Sequence, residues 1–184
     1  MTQTASKHTT IRMLVLTALF AALVAICSQI QIPLPMVPIN LALFGVYLAG
    51  ALLGRRWGAL SLIVYTLLAA VGAPVLAGFS GGLGILMGKT GGYVIGYILA
   101  AYVTGLVTEK WGASYPKLCV GMVLGCAVCY LFGTLWFMQV SGLTLAVSLG
   151  YCVLPFLPGD VIKILLAALL TIKLRPALKR QNLI

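Results

Sequence analysis

The chain has 184 residues, 62% of them hydrophobic, with a mean hydropathy of +1.13. It holds only 12 Lys and Arg and 2 Asp and Glu, where a soluble domain carries about a quarter charged residues, so a soluble globular fold is excluded and an all-α integral membrane protein of one domain is expected. The net charge of +10 does not point to nucleic acid, because the basic residues lie in short clusters between apolar runs, the distribution that sets membrane topology.

Met1–Thr10 is polar and carries the single histidine, His8. The run that follows, Met13–Ile30, exceeds the ~7–15-residue core of a signal peptide and is a first span instead. It includes TALFAALVA, which places Ala18 four residues before Ala22 and Ala21 four before Ala25. Small side chains at that spacing let helices approach closely, either inside the fold or against a partner helix.

The loop Gln31–Pro38 has three prolines. Two short apolar stretches come next, Ile39–Leu53 and Gly58–Val71, on either side of Arg55-Arg56. They are shorter than the ~17–25 residues usual for a span, so they extend into their loops or lie where the fold is thin. Ala73–Thr90 is rich in glycine and ends in Gly88-Lys89-Thr90. A phosphate-binding loop would need a further glycine at position 83, which is Leu83, and its N–H groups converge on a phosphate only at the right spacing. Nucleotide binding is therefore not expected.

Gly91–Thr108 is the fourth apolar stretch. Gly92 and Gly96 form a small-residue pair for close helix packing, and Tyr93 and Tyr97 share one face as belt or pocket wall. Lys117–Val140 is the fifth and holds Cys126-Ala127-Val128-Cys129. Ser141–Pro158 is an apolar loop ending in prolines, and Gly159–Ile172 is the sixth stretch. Proline- and glycine-rich apolar loops are tolerated at membrane depth only when buried or lining a cavity, so the loops between spans look like a lid over a pocket.

Six spans with both termini cytoplasmic place Lys7, Arg12, Arg55, Arg56, Lys110, Lys117, Lys173, Arg175, Lys179 and Arg180 inside, leaving Lys89 in an outer loop. That asymmetry satisfies the positive-inside rule, and it puts the pocket near the extracytoplasmic side.

Asp160 and Lys163 carry the most chemistry. Three residues apart, they share a helix face, and charges within a span usually face a cavity or each other. One reading is an N-cap ion-paired to a lysine; the other is a polar anchor for a ligand. Cys126 and Cys129 lack a metal-ligand set, and their mid-span placement favours packing over redox chemistry. A membrane thiol oxidoreductase using this pair is the rival reading from another class. A solitary ion-coupled carrier is a further alternative, disfavoured because Asp160 is already paired.

Together PLPMVPINLALFGVYLAGALLG (Pro33–Gly54), FSGGLGILMGKTGGYVIGY (Phe79–Tyr97) and PFLPGDVIK (Pro155–Lys163) resemble the BioY family, the biotin-specific S components of energy-coupling-factor (ECF) transporters. The resemblance implies a prokaryotic plasma-membrane protein of six helices that captures biotin without an ATPase or cofactor of its own. It also implies a membrane coupling subunit and two ABC-type ATPases as partners, with the alanine stripe of the first helix (Ala18 and Ala22, or Ala21 and Ala25) as docking surface. It assigns biotin contact to Asp160 and Lys163, and extends the pocket to Tyr93, Ser80 and Lys89. Lys89 stands where many members have proline, so it meets the carboxylate of biotin or stays solvated. Ala42 replaces the usual glutamine, which removes one polar contact.

Overall fold

The computed structural model describes residues 2–34, 36–181 and 183–184, with side chains in the first helix from Thr10 onward. Pro35, one of the three prolines of the first loop, lies outside the described residues. The chain is helical almost throughout: α1 (Thr2–Gln29), α2 (Ala42–Ala70), α3 (Leu83–Leu86), α4 (Gly91–Trp111), α5 (Tyr115–Ser141), α6 (Leu145–Cys152) and α7 (Leu157–Arg180). A two-residue antiparallel ladder, β1 (Gln31–Ile32) with β2 (Ile39–Asn40), ties down the proline-rich loop. Among the described residues, four helices are long and apolar enough to cross a membrane: Thr10–Gln29, Ala42–Ala70, Gly91–Trp111 and Tyr115–Ser141. α6 and α7, bent by 51° at their break, make a fifth if taken as one span.

The second and third apolar stretches are the two halves of α2, joined without a loop. Gly54 breaks the helix with φ 81° and ψ 177°, a conformation close to exclusive to glycine. A Cβ on Gly58 would come within 2.8 Å of Ala49 O and 2.9 Å of Gly50 Cα. Residues nine apart in a continuous helix are about 13 Å apart along the axis, so α2 folds back on itself at Gly54. Glu109 at the end of α4 secures this turn, accepting the Arg55 backbone N–H at 2.8 Å and pairing with Arg55 Nε at 3.2 Å.

Glycine also sets the α4–α5 contact. A Cβ on Gly92 would lie 2.2 Å from Trp136 Cβ, and one on Gly96 would lie 3.1 Å from Cys129 Cα. The small-residue pair is thus a packing surface, and Cys129, fully buried, fills the space beneath it. The loops are more ordered than their glycine and proline content implies, since α3 and α6 form inside them.

Candidate ligand pocket

Asp160 and Lys163 lie inside the protein. α7 starts at Leu157 and no side chain caps it, so Asp160 belongs to the first turn, and its own N–H donates to Phe156 O at 2.9 Å. The N-cap reading fails for that reason. Lys163 Nζ approaches Asp160 Oδ1 at 2.8 Å, with the two residues only 6% and 2% exposed. The second oxygen, Oδ2, accepts the Tyr130 hydroxyl from α5 and faces Cys126 Sγ at 3.8 Å. Burying an ion pair costs several kcal/mol per charge unless its other lone pairs are satisfied; here both carboxylate oxygens have donors.

A cavity of about 240 Å³ opens beside this group, somewhat below the roughly 300–1,000 Å³ usual for small-molecule sites. Lys163 and Tyr130 form part of its wall, while Asp160 is not on the wall. α4 contributes Tyr93, Val94 and Tyr97, and the α1–α2 connection contributes Val37, Pro38 and Asn40. Leu76, Ala77 and Ser80 come from the loop before α3, and Phe156 immediately precedes α7. Apolar and aromatic sides with a few placed polar groups are what a small-molecule site requires. The cavity lies at the α4 end that holds Tyr93, and the Arg55–Glu109 pair lies at the other.

Of the other sequence-named residues, Tyr93 and Ser80 are on the wall. Tyr93 donates to Cys152 O at 3.5 Å, and Ser80 Oγ donates to Ala77 O at 2.8 Å. Lys89 is not on the wall. It is exposed, and its Nζ reaches Met36 Sδ at 3.5 Å, so it links the glycine-rich loop to the proline-rich one. On α1, Ala18 and Ala22 face outward, whereas Ala21 is 1% exposed and Ala25 half-buried. Ala21 is therefore turned into the fold, while Ala25 is only partly covered. Cys126 and Cys129 are buried free thiols. Tyr130, Asn40 and Phe156 are also on the wall, and no local pattern singles them out as such.

A bundle of membrane-length apolar helices that encloses a buried ion pair and a tyrosine-lined cavity is a multi-pass membrane protein that holds a small molecule. Its sequence matches the model of the BioY family over residues 1–180, and the chain belongs to that family. It is 38% identical over 165 residues to the biotin transporter BioY of Thermotoga maritima, covering 89% of this chain and 96% of that one. A probable biotin transporter BioY of Pyrococcus horikoshii is 39% identical over 160 residues, covering 87% and 94%. Among solved structures, the S-component for biotin from an ECF-type ABC transporter superposes with a TM-score of 0.84 at 30% identity, over 91% of this chain and 92% of that one.

Proposed function

We propose that this chain is the biotin-capturing membrane subunit of an ECF-type importer of the prokaryotic plasma membrane. The observation that carries the reading is the Lys163–Asp160–Tyr130 group, which presents Lys163 and Tyr130 to a cavity lined mostly by apolar and aromatic groups, with Asn40, Ser80 and Thr90 as its other polar residues. The ureido ring of biotin has one carbonyl acceptor and two N–H donors. Lys163 donates to that oxygen. Tyr130 gives its proton to Asp160 and keeps its own lone pairs for a ureido N–H, so the charge of Asp160 acts on the ligand through Tyr130. Tyr93 and Ser80 complete the wall, and Lys89 stays a solvated rim residue.

Six spans account for the bundle when α2 is counted twice, for its two halves, and the bent α6–α7 pair once. With both termini cytoplasmic, the basic ends of α4 and α7 face inward and the pocket opens outward. The exposed Ala18 and Ala22 are the surface for a membrane coupling subunit, which two ABC-type ATPases drive. An ion-coupled solitary carrier is disfavoured because both acids of the chain are paired, Asp160 with Lys163 and Glu109 with Arg55.

The test is biotin uptake by proteoliposomes. Uptake is expected only with the coupling subunit, both ATPases and ATP. Ala18→Trp with Ala22→Trp is expected to abolish uptake while leaving biotin binding by the isolated chain intact. Uptake by the chain alone, driven by a proton or sodium gradient, would overturn the ECF reading.

A further inference from the structure

The last residues of α1 grip one wall of the cavity. Ser28 Oγ donates to Val75 O at 2.6 Å. Gln29 Nε2 donates to Leu76 O at 3.0 Å and to Val75 O at 3.3 Å, while Gln29 Oε1 accepts the Phe79 N–H at 2.9 Å. One amide side chain thus uses both its donor and acceptor ends on the backbone of the strip 75–80, and Leu76, Ala77 and Ser80 of that strip face the cavity.

The strip needs the grip. Phe79 has φ 53°, the one positive φ outside glycine among the described residues, and it is 74% exposed. A bulky residue in the left-handed region costs about 1–3 kcal/mol and persists only where its surroundings over-determine it. Packing does not hold an exposed phenyl ring. Apart from the reciprocal Leu76–Ser80 backbone bonds, the fixed partner of the strained residue is the Gln29 carbonyl, which binds its own N–H.

We infer that Gln29 is a positioning residue of the pocket: it holds the strip 75–80 in the shape that retains the ligand, and so sets how long a bound molecule stays rather than how fast it arrives. The inference rests on the biotin-binding reading and deepens it.

The experiment measures biotin association and dissociation by the purified full chain between about pH 5 and pH 8, for wild type, Gln29→Met and Gln29→Glu. Gln29→Met loses all three bonds to the strip and is expected to release biotin at least about tenfold faster, with association within about twofold of wild type. Gln29→Glu distinguishes positioning from bulk stability. When protonated it has an O–H for Leu76 O and an acceptor for Phe79 N–H; when ionised it only accepts, and it faces two carbonyl oxygens. A glutamic acid ordinarily titrates near pH 4.3, and neighbouring carbonyl oxygens and burial move that upward. Its dissociation rate, as a ratio to wild type at each pH, is therefore expected to be near one at the acid end and to rise towards the Gln29→Met value at the basic end. The ratio cancels titration of the biotin carboxylate and every pH dependence that the variant shares with wild type. The titratable neighbours, Cys27 on α1 and Tyr65 of α2 beside Ser28, ordinarily titrate near 8.5 and 10, above the window.

Wild-type dissociation by Gln29→Met, or a pH-independent ratio for Gln29→Glu, would overturn the inference while leaving the pocket assignment standing. Should Gln29→Met fail to fold, the Gln29→Glu ratio decides alone. Failure of wild type to bind biotin would overturn the reading beneath both.

Discussion

Replacing Asp160 by Asn removes the negative charge but keeps the shape. Lys163, 6% exposed, then has no counter-charge beside it, and the two donors on Asp160 Oδ2, Tyr130 and Cys126, compete for one amide oxygen. Removing one member of a buried ion pair costs about 3–5 kcal/mol, whereas replacing both by apolar groups of similar volume is often neutral. Asp160→Asn is therefore expected to melt well below wild type without ligand, and Asp160→Asn with Lys163→Met to recover most of that loss. Binding behaves differently. Each hydrogen bond to a charged group contributes about 1.5–3 kcal/mol, so loss of the Lys163 donor weakens biotin by roughly ten- to a hundredfold or more, and the double variant recovers none of it. Thermal melting in detergent, paired with calorimetric titration of biotin, checks both halves. A stable Asp160→Asn single variant, or a double variant with wild-type affinity, would refute the reasoning.

Tyr130→Phe removes the hydroxyl that links Asp160 to the cavity and is expected to weaken biotin by about tenfold or more, measured by the same titration; unchanged affinity would take Tyr130 out of the site. Cys126→Ala with Cys129→Ala removes two buried thiols that pack as small apolar groups, and biotin binding is expected to stay within about tenfold of wild type. Loss of function together with a copurifying quinone would instead favour the oxidoreductase reading. Gly54→Ala forces a Cβ into a conformation costing about 1–3 kcal/mol and within 2.4 Å of Glu109 Oε1; a lower melting temperature is expected, and a melting temperature equal to wild type would refute the strained turn at Gly54.

How much of this was legible in the sequence depended on contrast with an apolar background. Asp160 and Lys163 stand out because charges are rare in such a chain, and Tyr93 stands out through its glycine-rich surroundings. Tyr130 does not: it is one of 8 tyrosines, and it became part of the site only because α5 packs its face against the first turn of α7. The reversal at Gly54 was half legible. Two short stretches flanking Arg55-Arg56 are visible in hydropathy, but a turn with no loop depends on glycine backbone geometry and on Glu109, 55 positions further on. The alanine stripe was seen in two registers, and only the packing of Ala21 into the fold shows which one faces outward. Gln29 sits at the end of an apolar run, where a polar residue looks like an ordinary helix terminus. Its meaning lies in backbone groups about 46–50 residues away, which no local pattern encodes.

On the reading proposed above, this chain alone holds biotin against Lys163 in the cavity bounded by α4, α5 and α7. Equilibrium titration of biotin into the purified chain, alongside Lys163→Ala, tests it most directly. Saturable one-to-one binding by wild type is expected, with a loss of at least about tenfold in the variant, equivalent to about 1.4 kcal/mol. No binding by a folded wild-type chain, or equal affinity in the two proteins, would contradict it.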